Sequence, residues 1–312
     1  MKYTAYILIL SILLSSCATI INQPYKNVTI YTTKPSKIIY QQDTVETQDN
    51  KAHLKIKRQK ETLLIVAMTD SLTKPITVEP KNSSMYWANL YLYGVGMLVD
   101  MKNPKRYSYP ERIYINSADT ISKYSKYGQS NNKGELNLHI SLPHFNFFNL
   151  TPKGEEMKVG ASFWGLTVGF DYYHSKNKFV NLGGSYAFGL PFPLPAAIDF
   201  LGERELMSSW YISLSNNHKL WRFTAGYGIS FGKNVWDFGY YSWKGDLSSI
   251  KDPVTKSHYA FGMIFPAYFQ LSEHFNIGVV YRPSFYRPNT TNKFEYEHLI
   301  SIDFAWKIRL KK

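Results

Sequence analysis

From residue 135 onward the chain is built of segments in which apolar residues alternate with polar, small or glycine residues, and this alternation constrains the fold more than any other feature. In the first segment Leu136, Leu138, Ile140 and Leu142 alternate with Asn137, His139 and Ser141. In the last, Ile300, Ile302, Phe304, Trp306, Ile308 and Leu310 alternate with Ser301, Asp303, Ala305, Lys307 and Arg309. Between them lie six more, centred on Trp164–Tyr172, Val180–Phe188, Trp210–Leu214, Trp221–Phe231, Tyr259–Phe265 and Phe275–Tyr281. A period of two is that of a β-strand, so each segment has one apolar face and one polar or small face. Two all-β folds satisfy eight such strands. One is a soluble sandwich with the apolar faces inward, and the other is a closed barrel with them outward against lipid.

The connections favour the barrel. Gaps at 143–158, 190–206, 232–256 and 286–294 are long, and those at 174–178, 216–219 and 272–274 are short. Short periplasmic turns and longer external loops are the pattern of outer-membrane barrels. An even strand number also returns both ends to one side. The closing segment Trp306-Lys307-Ile308-Arg309-Leu310 resembles the C-terminal insertion signal of such barrels, with Lys311-Lys312 where an aromatic is common. The resemblance implies an OmpA/OmpX-like, eight-stranded, antiparallel up-and-down β-barrel over residues 135–312. The first and fourth segments are short of the ~9–11 residues that a tilted spanning strand needs. Aromatics make up 16% of the chain, and Trp164, Trp210, Trp221 and Trp306 are expected at the membrane interfaces.

The other end carries an export signature. Lys2 precedes an apolar run from Tyr6 to Leu14, too short to span a bilayer as a helix. Leu14-Ser15-Ser16-Cys17 follows and resembles the lipobox of bacterial lipoproteins. That resemblance implies removal of residues 1–16, a diacylglycerol on the Cys17 thiol and an acyl chain on its new amine, with no other cofactor. Several acyl chains anchor stably where one is marginal. Cys17 is the only cysteine, which excludes a disulfide within the chain and a C-x-x-C metal or redox site. Ala18-Thr19-Ile20-Ile21 has no acidic cluster of the kind that resembles a surface-export signal. The expected location is the outer membrane, with the lipid in the inner leaflet facing the periplasm.

Residues 17–116 read as a small β-rich domain, with strands at Val28–Thr33, Leu54–Lys57, Leu63–Met68 and Ile76–Glu79. Cys17-Ala-Thr-Ile-Ile, a Val-Thr-Ile strand and a Pro35-Ser36 turn resemble Bacteroidota-type lipoproteins that carry a PEGA-like β-sandwich. Gln23 and Lys37-Ile38 depart from the glycine-bearing pattern. Tyr86-Trp87-Ala88-Asn89, Gly94, Gly96, Asp100, Tyr109-Pro110 and a strand at 112–115 are similar to the later part of the same proteins. The apolar stretch Trp87–Val99 is expected either in this domain's core or lying on a membrane. Residues 117–134 are polar and rich in turn formers, and read as a linker.

The net charge of +13 is scattered and accompanied by no recognition motif, so it points to solubility and anionic lipid, not nucleic acid. The expected partners are outer-membrane lipid and, through the loops, envelope proteins or surface glycans. Within loop 232–256, Trp236, Tyr240, Tyr241 and Trp243 are the binding candidates. An eight-stranded barrel has room inside for side chains only. Some such barrels modify the acyl chains of lipid A, which makes inward His139, Ser141 and His258 the weak catalytic candidates, by analogy of fold alone. Inward Asp171 and Asp303 facing Arg222, Arg282 and Lys307 read as interior ion pairs. No histidine cluster suggests a metal. Asp43-Thr44-Val45, Asp70-Ser71-Leu72 and Asp119-Thr120-Ile121 resemble the Bacteroidota O-glycosylation sequon, making Thr44, Ser71 and Thr120 candidate acceptors. The favoured role is structural or binding. The alternatives are a lipid A acyl-modifying barrel and a lipid-tethered periplasmic sandwich that binds a partner.

Overall fold

The computed structural model describes residues 17–70, 72–116, 131–190, 202–241, 253–288 and 293–311. The chain divides into two compact units, residues 1–130 with the turn 271–275, and residues 131–270 with 276–312. The linker expected at 117–134 lies outside the described residues except for its end. There Asn131 is buried and Gly134 donates its amide to the Tyr173 carbonyl at 2.7 Å, so 131–134 belong to the second unit.

The first unit opens with a short helix α1 (Cys17–Ile21), followed by strands β1 (Tyr25–Thr32), β2 (Lys37–Tyr40), β3 (Asp43–Glu46), β4 (Lys51–Lys57), β5 (Leu63–Met68) and β6 (Thr73–Val78). A two-residue pair, β7 (Lys81–Asn82) and β8 (Tyr107–Ser108), brackets a helical insert containing α2 (Ser84–Ala88) and α3 (Val95–Asp100). Strand β9 (Arg112–Ile115) closes the unit. Two sheets form, ordered β4-β1-β9 and β3-β2-β5-β6, with β9 parallel to β1. Period two explains the core: Ala52, Leu54 and Ile56 of β4 and Leu63, Ile65 and Ala67 of β5 are buried, along with Val28, Ile30, Ile113 and Ile115. Pro75 sits on β6, an edge strand, where a missing amide costs no interior ladder bond.

Tyr109 joins this core and donates its hydroxyl to the Glu61 carbonyl at 2.7 Å. Burial, with Tyr40 and Glu61 nearby, pushes its phenol up to about 12. Unfolded, the phenol titrates near ~10. The neutral phenol is therefore favoured by folding, and its contribution is complete below pH ~10 and lost as pH rises toward 12. Urea unfolding of this unit, followed between those pH values, is expected to lose stability in the native chain and to change less in Tyr109→Phe.

The second unit is a closed barrel of eight consecutive strands. They are β10 (Leu136–Leu150), β11 (Lys158–Ser175), β12 (Lys178–Leu190), β13 (Gly202–Leu220), β14 (Phe223–Tyr241), β15 (Val254–Gln270), β16 (Phe275–Tyr286) and β17 (Phe294–Lys311). Antiparallel pairing of β10 with β17 completes the ring. The soluble sandwich is therefore excluded for this half. Faces follow the alternation. Leu166, Val168, Phe170, Ile212, Leu214 and Ile229 are exposed on the outside, while Asn137, His139, Ser141, Asp171, Asn217 and Asp303 are buried inside.

Strand lengths depart from expectation. The first and fourth strands run 15 and 19 residues, so both exceed a spanning length. Strand β10 carries a bulge between Pro143 and Phe145 in its pairing with β17, and this reverses its parity: even residues face out before it and odd residues after it. Strand β14 reaches Tyr241. Trp236, Tyr240 and Tyr241 therefore lie on a strand, not in an external loop. Trp243 lies outside the described residues.

Candidate functional site

Parity places residues inside the barrel, and the register of the strands then sorts them into two buried polar clusters. In the first, Asp171 of β11 accepts from Lys307 Nζ of β17 and Asn181 Nδ2 of β12, both at 2.7 Å. His139 of β10 stands with Nδ1 3.9 Å from Asp171, in an edge contact with the Tyr268 ring. Tyr268 donates its hydroxyl to Asp303 Oδ2 at 2.6 Å. A cavity of about 40 Å³ lies among these side chains, large enough for a water molecule or little more.

The second cluster centres on Glu297 of β17, which is fully buried. It accepts from the Thr151 amide at 2.7 Å, Asn234 Nδ2 at 2.9 Å and His258 Nε2 at 2.7 Å, and pairs with Arg287 at 2.7 Å. Asn234 Oδ1 in turn accepts from Arg282 at 2.8 Å and from Ser209 Oγ at 2.8 Å. The Arg282 guanidinium lies 4.7 Å over the Tyr211 ring. Phe148, Leu150, Met207, Trp236 and Leu299 add an apolar cluster within the same barrel interior.

The expected ion pairs are met only in part. Lys307 and Asp171 pair as read from the sequence. Arg282 instead bonds neutral Ser209 and Asn234, Asp303 takes a tyrosine hydroxyl, and Arg222 donates to the Gln270 carbonyl while covering the Phe269 ring. The residues missed were Glu297, Asn234 and Arg287. Glu297 continues the polar face of Ser301, Asp303 and Lys307 on the last strand, and that was the available signal.

The catalytic candidates are separated by this geometry. His139, Ser141 and His258 are all buried and inward. His258 is engaged by Glu297, and Ser141 Oγ has no hydrogen bond to either histidine among the described residues. A nucleophile needs its base within ~2.6–3.2 Å, and no such contact forms here. Trp236 is buried against Phe238 inside the barrel, with Lys158 over its ring at 5.6 Å. It is a packing residue, not a presented loop aromatic. Thr44 is exposed on edge strand β3; Ser71 and Thr120 fall outside the described residues. Glu111, Glu273 and His274 bring ligand-type atoms together, but Lys26 Nζ lies 3.0 Å from Glu273 and 3.7 Å from Glu111 and supplies the positive charge.

A third arrangement lies in the first unit. Asp100, the last residue of α3, is fully buried and accepts from the Ala18 amide at 3.2 Å, the Thr19 amide at 2.9 Å and the Thr19 hydroxyl at 2.6 Å. Asn89 Nδ2 donates to the same carboxylate at 2.8 Å. Asn103 donates to Thr19 Oγ1 and Lys105 to the Thr19 carbonyl, at 2.9 and 3.0 Å. Gly96 has no room for a side chain, because a Cβ there would fall 2.1 Å from Asn89 Oδ1, and Gly94 takes the left-handed φ of 77° that turns the chain into α3. Asn89 and Asp100, among the residues that carried the lipoprotein resemblance, thus meet on one carboxylate with the two residues that follow Cys17.

No family model and no curated protein matches the chain. Among solved structures it is similar to Ail, the attachment invasion locus protein of Yersinia pestis, at 11% identity and a TM-score of 0.39, covering 57% of this chain and 99% of that one. Neisserial surface protein A gives 7% identity, a TM-score of 0.34, and coverage of 56% and 97%. A major outer membrane protein from Thermus thermophilus gives 14%, 0.32, and coverage of 56% and 99%.

Proposed function

We propose that the chain is an outer-membrane lipoprotein with a structural or binding role, anchored through acylated Cys17 and spanning the membrane with its eight-stranded barrel. The observation that carries this reading is the inverted barrel: apolar side chains cover the outside while charged and polar ones are buried within. Water would penalise that outer face, and hydrocarbon would not. On strand β14 the outward Phe223, Ala225, Tyr227, Ile229 and Phe231 form an unbroken apolar run. From Phe223 to Phe231, at ~3.3 Å per residue and a tilt of about 40°, the run covers roughly 20 Å of the ~25 Å apolar band of such barrels. Beyond Phe231 strand β14 continues, with outward Lys233 and Asp237 on either side of Val235.

Among the described residues the interior is filled by the two polar clusters and the apolar cluster around Trp236, which leaves no open pore. Its chemistry is that of a packed lumen, and the role is non-enzymatic. The lipobox-like Leu14-Ser15-Ser16-Cys17 supports the anchor. The N-terminal sandwich is read as the PEGA-like module facing the periplasm, with lipid and either envelope proteins or glycans as partners.

Outer-membrane fractions run on SDS gels without boiling are expected to give a faster band than boiled samples, and intact mass is expected to show residues 17–312 with added acyl chains. An unshifted band would refute the inserted barrel; an unmodified mass would refute the anchor. Added hexose-type mass would support modification at Thr44, Ser71 or Thr120.

A further inference from the structure

The helical insert of the first unit has two faces. Ala18 and Asn22 lie four residues apart and are buried, as are Gly96 and Asp100 of α3; these positions form the seam that Asp100 holds together. The other faces are apolar and open. Leu98 is 71% exposed and Ile20 63%, with Ile21, Val99 and Met101 also exposed. A monomer surface in water seldom gathers aliphatic residues in this way on two elements joined by hydrogen bonds.

Charge says what covers them. Across 17–25 and 84–106 the one acidic residue is Asp100, and it is buried; Lys102, Lys105 and Arg106 are the charged neighbours. Aliphatic side chains within a basic, acid-free rim suit an anionic lipid surface, where the aliphatics enter the interface and the lysines meet head groups. Cys17 heads the same short helix as Ile20 and Ile21. Chains attached there would enter lipid beside this face.

We infer that the face bearing Ile20, Ile21, Leu98, Val99 and Met101 docks on the anionic leaflet that holds the acyl chains of Cys17. Asp100 seats Ala18 and Thr19 so that the anchor is continuous with the domain, not a free tether. This inference rests on the lipid-anchor reading above.

The test uses the full chain, purified from membranes with its native modification and reconstituted into vesicles of phosphatidylethanolamine and phosphatidylglycerol. Acylation blocks Cys17, so Leu98→Cys or Val99→Cys offers one thiol for a nitrobenzoxadiazole label. Thr77→Cys, exposed on β6 of the sandwich, is the reference. Dithionite is expected to quench the Leu98 and Val99 probes several-fold more slowly than the Thr77 probe, with blue-shifted emission. Equal quenching in protein whose mass shows acylated Cys17 would overturn the docking face and leave the anchor standing. A mass without acyl chains would overturn the anchor and this inference with it.

Discussion

Replacing Glu297 by alanine is expected to lower the unfolding free energy of the barrel by about 3–5 kcal/mol, the usual cost of removing one partner from a buried charged network. The size follows from what is left behind. Arg287 and His258 lose their carboxylate, the Thr151 amide loses its acceptor, and Asn234 keeps Arg282 and Ser209 on its oxygen but has nothing for its amide. These groups come from four strands and two strand ends, so the loss is shared around the ring. Glu297→Gln keeps the shape and forfeits the charge, and should cost less. Urea titration of barrel refolded in detergent micelles, read by the gel shift between folded and unfolded bands, measures both. A Glu297→Ala midpoint equal to that of the native chain would show that the cluster only fills space.

The second large effect is expected at Asp100. Its carboxylate accepts four bonds, three of them from Ala18 and Thr19. Asp100→Ala leaves these donors buried without partners, at about 1–3 kcal/mol for each that water cannot reach. The segment after Cys17 has few other holds: Lys105 and Asn103 bond Thr19, and Asn22 bonds Ser83 and the Lys105 carbonyl. Release of residues 18–22 is therefore expected, with the β-sandwich intact because its core lies on other strands. Hydrogen exchange would show this as full loss of protection at the Thr19 amide with β1 and β4 unchanged. Retained protection at Thr19 would mean that packing, not the carboxylate, holds the segment.

The barrel was legible where strict alternation of residue type marks its two faces. From Phe223 to Phe231 on β14 the outward residues are apolar and the inward Thr224, Gly226, Gly228 and Ser230 are small or polar, so the alternation names both faces. Beyond Phe231 the contrast between the two faces is lost. On β14 the inward residues include Asn234 and Trp236, and the outward ones are Lys233, Val235 and Asp237. A reader expecting apolar-outward strands stops at Phe231 and assigns Trp236, Tyr240 and Tyr241 to a loop. On β10 the bulge at His144 swaps odd for even, which hides Phe145–Leu150 from a period-two search. Both errors arise where the alternation of residue type weakens or the register shifts.

In the first unit the strands of the sandwich were legible from alternation, but the hairpin of β2 and β3 was not. Its strands are four residues each, and β3 at the edge buries little. The stretch Trp87–Val99 had two readings, core or interface. The structure divides it by helical period: Gly96 turns inward against Asn89, and Leu98 and Val99 turn outward.

Sequence by itself determined the strand number of the barrel, its inward and outward faces and the position of Cys17, because these depend on local period and a linear motif. Tertiary structure decided which inward residues meet. His139, His258, Asp171 and Glu297 all face inward, yet His258 belongs to Glu297 and His139 stands near Asp171, since height in the barrel is set by strand register and tilt. It decided too that Asp100 holds Thr19, a contact across 81 residues that no local pattern encodes.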